Sequence, residues 1–286
     1  MLALHLFVNG LVTGCALGMV AISFSLVYST TRIFHVAHAG VYTVGGYVAW
    51  SLVSRGVPAL AALCVAVAAA TLLGAAIQHV LYRSLERRHA THLVVLIASL
   101  GALAVIQNVI AAVYSPNILQ FPLPWASRTL GFGGVTLTAA QALTIVVGLA
   151  AYAGMMWFAH RTLLGKRIRA VASNPFLAEI TRLKPADVHV IVIAIASAIV
   201  CLPGVLVPLD LGLQPYGGVT VLLTATIAMI AGGVGSISGA FLLSLAIAIV
   251  QNVSLLVIPG EWSIGITFFI FVIFMLFRPR GLFARA

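Results

Sequence analysis

The side chains best able to do chemistry in this sequence stand in an apolar run between Arg32 and Tyr47. Read as a helix, the run puts His38, Tyr42, Gly45 and Ala49 on one face, at i, i+4, i+7 and i+11. The face is a polar stripe with gaps left by glycine. Two readings stand open: an ionisable group at membrane depth that lines an aqueous path, or a histidine that donates to a carbonyl of a neighbouring helix. Metal binding by His35 and His38 is not expected, because no further ligand follows at suitable spacing. Gln107, Asn108 and Asn252 add neutral amides to two later apolar runs, where they are expected to hydrogen-bond between helices and to border a solute path.

Catalytic chemistry finds no support, and neither a cofactor nor a metal is expected. The acids Glu86, Glu179, Asp187, Asp210 and Glu261 all fall in connections or at the ends of apolar runs. No carboxylate pair is left at membrane depth to hold a driving proton or Na⁺, which argues against a secondary transporter. Gly165-Lys166 fails as a phosphate loop, since His160 stands in place of the first glycine and Arg167 in place of Ser or Thr. Energy for active transport would have to come from another chain. The glycine run from Ala231 to Ala240 reads as a turn into a helix capped by Ser236 rather than a phosphate cradle, because no Lys follows it. Gly10, Gly14 and Gly18, four residues apart, read as a close helix contact. Cys15, Cys64 and Cys201 read as small buried hydrophobes.

Between residues 161 and 187 the apolar pattern gives way to a basic, partly helical connection. Asn174 is a fitting N-cap, with Pro175 at the first helical position. Phe176, Leu177, Ile180 and Leu183 then share a face, Ala178 lies between them, and Lys184-Pro185 ends the run. The expectation is a two-turn amphipathic helix beside a basic strand of loop that carries Lys166, Arg167 and Arg169. Such a helix either lies on lipid or offers its face to a separate soluble motor.

Composition says which elements must hold these groups. Hydrophobic residues make up 62% of the 286 positions, charged residues 7%, and mean hydropathy is +1.17, whereas soluble domains carry about a quarter charged residues. An all-α polytopic membrane protein follows, a single transmembrane domain over 1–286, because helices satisfy their own backbone in lipid. Runs of about 20 apolar residues occur near 7–28, 33–54, 58–82, 93–113, 138–159, 188–209, 216–231, 237–258 and 262–277. The expected total is 8 to 10 spans, since 33–54 and 216–236 hold enough glycine and polar groups to be broken or re-entrant. The first run is taken as a retained span, being longer than a signal-peptide core and without Lys or Arg ahead of it. With the N-terminus outside, thirteen of the fifteen Lys and Arg fall in inner connections and only Arg55 and Arg128 outside. That imbalance places the 161–187 loop and the C-terminus in the cytoplasm. The formal charge of +10 is therefore topological, with no nucleic-acid face. The outer connection 114–137, with Pro116, Pro122, Pro124, Trp125 and Gly131, Gly133, Gly134, reads as a headgroup-level loop or a docking place for an external partner. A weak echo links Ala104–Val109 with Ala248–Val253.

Along essentially its whole length the sequence resembles the membrane permease subunits of bacterial ABC importers for branched-chain amino acids, the LivH type. The resemblance rests on Ala37-His38, Gly45-Gly46-Tyr47, Tyr82-Arg83, Gly101 followed by Gln107-Asn108, and Gly165-Lys166-Arg167 with Arg169-Ala170-Val171-Ala172. It extends to Gly232-Gly233-Val234-Gly235-Ser236 with Gly239-Ala240 and to Arg278-Pro279-Arg280-Gly281-Leu282-Phe283. It implies a bacterial inner-membrane subunit that pairs with a second homologous permease, two cytoplasmic ATP-binding subunits and a periplasmic or surface solute-binding protein. The helix from Asn174 to Leu183 would then be the coupling helix, with Asn174, Phe176, Leu177, Ala178, Ile180 and Arg169 in contact with the ATPase. Departures occur at Asn174, where the family commonly has Asp, at Arg182, where it has Gly, and at Ala39-Gly40-Val41 after the histidine. The expected cargo is branched-chain or other hydrophobic amino acids, and these departures keep urea, short amides and small carboxylates as the alternative within the same family. A stand-alone helical channel is the alternative from another class.

Overall fold

The computed structural model describes residues 2–132, 135–278 and 281–283, and Gly133, Gly134, Pro279, Arg280 and Arg285 lie outside them. Seven helical stretches are long and apolar enough to cross a membrane. They are α1 (Leu2–Thr31); α3 (Ala59–Ala76), which continues through a π-helical turn (Ile77–Tyr82) into α4 (Arg83–Arg87); α5 (His92–Tyr114); α6 (Ala139–Arg161); α9 (Pro185–Leu206) with α10 (Pro208–Leu211); α12 (Ile237–Ser254); and a 3-10 turn (Gly260–Trp262) that runs on into α13 (Ser263–Phe277), 18 residues together. Two further apolar helices, α2 (His38–Val53) and α11 (Gly217–Gly232), have 16 residues each. At 1.5 Å per residue each covers about 24 Å, short of a hydrocarbon core of about 30 Å. The chain is an all-α polytopic membrane protein, and its two short helices are those in which glycine and polar groups were concentrated.

α2 is short because residues 32–37 run through the interior without helix. Unpaired backbone cannot stand in such a place. Ile33 N–H donates to Thr31 Oγ1 (3.1 Å), Val36 N–H to the Phe34 carbonyl (3.0 Å) and Ala37 N–H to Ser99 Oγ of α5 (3.0 Å). α11 also starts inside the bundle. A Cβ on Gly218 would lie 2.5 Å from the Ala39 carbonyl and 2.8 Å from Thr43 Oγ1, so the first turns of the two short helices touch.

α1 is the central post. Gly10, Gly14 and Gly18 press it onto α12, where a Cβ would come within 2.7 Å of Ile249 Cα, 2.8 Å of Leu245 Cα and 2.5 Å of the Phe241 ring. This contact carries the glycine spacing expected of a close helix pair. Cys15 and Cys201 are buried as expected; Cys64 is exposed, which corrects the expectation that all three are interior.

Polar contacts sort the connections to two ends of the bundle. At one end His5 meets Thr136, Trp50 Nε1–H donates to the Gln120 carbonyl (2.9 Å), and Asp210 accepts from Thr138 and Gln141 (3.2 and 2.9 Å). The 114–137 connection there is more regular than a turn-rich loop, since β1 (Thr129–Phe132) and β2 (Val135–Thr138) pair antiparallel. At the other end lie α4, α7 (Leu163–Ser173), α8 (Pro175–Ile180) and the turn from α11 to α12, joined by contacts such as His189 to Glu86 (3.2 Å). The basic stretch 163–173 is therefore helix, not a strand of loop. Thr162 Oγ1 caps Gly165 N–H (3.0 Å), and Gly165, Ile168 and Val171 form its buried face. Three-residue spacing of buried positions within a charged stretch was the signal for it.

Candidate functional site: a capped helix and a buried polar stripe

α8 is a short helix held at both ends. Asn174 Oδ1 accepts from Leu177 N–H (3.1 Å) and Pro175 opens the first turn, as the sequence suggests. At the other end Arg182 N–H donates to the Glu179 carbonyl (3.0 Å) and Leu183 N–H to the Ala178 carbonyl (3.1 Å), with Arg182 at φ +63°. This is the double C-terminal bond of a Schellman turn, whose left-handed position usually holds glycine. The helix thus ends at Ile180, and Leu183, expected on its apolar face, instead packs partly buried against the main core. Phe176, Leu177 and Ile180 are left 70%, 57% and 65% exposed, while Ala178 is buried. Arg169 stands exposed on α7, its Nη1 3.5 Å from His160 Nδ1.

The stripe of α2 is interior in every member. His38, Tyr42, Gly45 and Ala49 are all buried. Ser23 Oγ donates to the Val20 carbonyl (2.8 Å), so its lone pair receives Nε2–H of His38 at 2.9 Å. Gly45 abuts α9, where a Cβ would come 2.5 Å from Cys201 Sγ, and Gly204 passes against the Tyr42 carbonyl. A second chain of bonds ties His35 Nδ1 to Tyr82 Oη (2.7 Å), and that phenol donates to Ser99 Oγ (2.7 Å). Sequence reasoning gave Ser23 and Ser99 no part and quoted Tyr82 only as a mark of the family, because their partners lie on other elements and no spacing reveals them.

The amides separate. Gln107 is buried, with Nε2 unpaired among the described residues, whereas Asn108 is exposed on α5. Asn108 and Asn252 both donate to a carbonyl of their own helix, Ala104 (2.8 Å) and Ala248 (2.9 Å), not across helices as expected. Gln251, beside Asn252, does cross, and reaches the Ser263 carbonyl (3.2 Å) and Thr267 on α13.

A family model described as branched-chain amino acid transport system / permease component matches residues 6–275. The chain belongs to that family. It is 26% identical to the high-affinity branched-chain amino acid transport system permease protein BraD of Pseudomonas aeruginosa, over 99% of this chain and 96% of that one. It is 24% identical to LivH of Escherichia coli (97% and 94%) and 23% to a probable LivH of Methanocaldococcus jannaschii (92% and 87%). Among solved structures, PsaBC from Streptococcus pneumoniae in complex with Fab superposes with a TM-score of 0.54 at 16% identity, covering 96% of this chain and 93% of that one. That likeness is one of fold.

Proposed function

We propose that this chain is the transmembrane subunit of an ABC importer for branched-chain or other hydrophobic amino acids, driven by ATPases on separate chains. The observation that carries the reading is the face of Phe176, Leu177 and Ile180. A six-residue helix does not persist in water by itself; here caps at both ends and contacts with α7 and α9 hold it, yet three large apolar side chains are turned outward. A groove on a partner ATPase fits that face, and the contact with α9 would carry movement into the bundle. The basic end of the bundle then faces the cytoplasm, in keeping with Arg and Lys retention inside. The N-terminus lies outside, and a solute-binding protein docks at the opposite end. The names of the relatives support amino acids as cargo. The path is assigned to the exposed face of α5 that carries Asn108, shared with a second permease subunit. His38, Tyr42 and Gly45 are assigned to packing between α1, α2 and α9.

The test is the attachment and coupling of the ATPase in matched detergent for wild type and Phe176→Ala. Truncation of a buried aromatic anchor costs about 2 kcal/mol or more, so attachment is expected to weaken roughly 30-fold, with ATP hydrolysis uncoupled from uptake and the membrane domain still folded. Unchanged attachment and coupling would return α8 to a helix that lies on lipid.

A further inference from the structure

At the end of the bundle that carries α8, the helices α1, α6 and α7 and the turn into α12 line an open cavity of about 510 Å³. Arg32, Arg169 and His160 line it, and its described lining includes no Asp or Glu. The one contact between a basic side chain and a carboxylate among the described residues, His189 with Glu86, lies elsewhere. Ser29 and Thr30 donate to the Leu26 carbonyl (3.2 and 2.8 Å), whereas Ser25 Oγ accepts from Gly235 N–H (3.2 Å) and Ser236 Oγ from Gly239 N–H (3.0 Å), and both keep their own O–H as donors. The permanently charged donors at the wall are the two guanidiniums. Arg32 is also held at φ +56°, a conformation that glycine adopts freely and an L side chain does not. The chain thus keeps a cation at the cavity mouth where glycine would sit with less strain.

Donor-rich, carboxylate-free walls select an acceptor-rich ligand with several negative oxygens. A zwitterionic amino acid fits poorly, because its ammonium group would meet two guanidiniums and no acid. We propose that the cavity binds a phosphate group, with Arg32 and Arg169 as its ligands. The phosphate can belong to an anionic lipid headgroup, for which basic pockets between membrane helices are suited, or to a free phosphate. Bound, it joins the end of α1 to α7, the helix on which α8 is mounted.

The experiment uses the full chain, purified free of lipid, with two probes: inorganic phosphate in equilibrium dialysis, and nanodiscs of phosphatidylcholine with or without phosphatidylglycerol, read by the lipid retained on release. Saturable binding of inorganic phosphate identifies a free phosphate, and selective retention of phosphatidylglycerol identifies a lipid. In either arm Arg32→Gly and Arg169→Gln are expected to weaken binding roughly ten- to a hundredfold, the worth of a charged hydrogen bond. Arg32→Gly also relieves the backbone, so its loss of binding is not a loss of fold. Arg87→Gln, at the same end but outside the cavity, is the control. Retention of neither probe, or an equal loss from Arg87→Gln, overturns the proposal. The readout involves no ATPase and no transport, so its failure leaves the importer reading untouched, and the reverse also holds.

Discussion

Arg182 stands at the left-handed position of the turn that ends α8. An L residue there costs about 1 kcal/mol or more relative to glycine, so Arg182→Gly is expected to stabilise the chain by about 1 kcal/mol in a denaturant titration in bicelles. A drop in stability instead would show that the guanidinium, which borders a small cavity beside Asp187, contributes more than the backbone loses. Ser23 makes the opposite case. It is the partner of a fully buried histidine, and Ser23→Ala leaves His38 Nε2–H without an acceptor. A loss of about 1 kcal/mol is expected, between the values for a buried unpaired group and for an average interhelical bond in lipid. His38→Ala is likewise expected to lower the yield of folded protein while the transport rate per folded complex holds. A normal yield with slow transport would move His38 from packing to the solute path.

Among the elements, α1 and α5 carry their glycines for different reasons. Gly14 lies against the α12 backbone, whereas nothing approaches within 4 Å of a Cβ built on Gly101. Gly14→Val should therefore force the helices apart at about 1–3 kcal/mol, and Gly101→Val should leave the isolated chain as stable as wild type. If the exposed face of α5 meets a second permease, Gly101→Val will instead reduce co-purification of the two subunits. Assembly that tolerates valine would place Gly101 against lipid. The same two helices show how far sequence reading reached. The four-residue glycine period of α1 was legible as a contact, but its partner was not. The amides of α5 and α12 were legible as polar groups in apolar helices, yet which of them crosses to a neighbour depended on the rotation of each helix in the bundle.

At the scale of the whole molecule, the division of charge between the two ends sets the expected orientation. In a background with Cys64 replaced by Ser, Ser173→Cys beside α8 should react with a membrane-impermeant maleimide only in inside-out vesicles, and Ser127→Cys only in intact cells with a permeable outer layer. Reversed labelling would invert the topology and remove α8 from the reach of a cytoplasmic ATPase. Concentrative uptake by this chain reconstituted alone would equally sink the importer reading.

Sequence alone determined what depends on local partitioning. A run of about 20 apolar residues enters lipid wherever it stands in a chain, so the membrane class, the approximate helices and the basic connections could be read directly. Caps behave the same way: Asn174 and Ser236 act on amides three residues ahead, within the reach of spacing arguments. Only the tertiary structure decided that residues 32–37 leave the helix and that the α2 stripe faces inward. Those outcomes rest on Ser23, Tyr82 and Ser99, which lie 15, 47 and 62 residues from their partners. Backbone inside a membrane bundle takes its shape from whichever distant side chains satisfy it, and no local pattern names them.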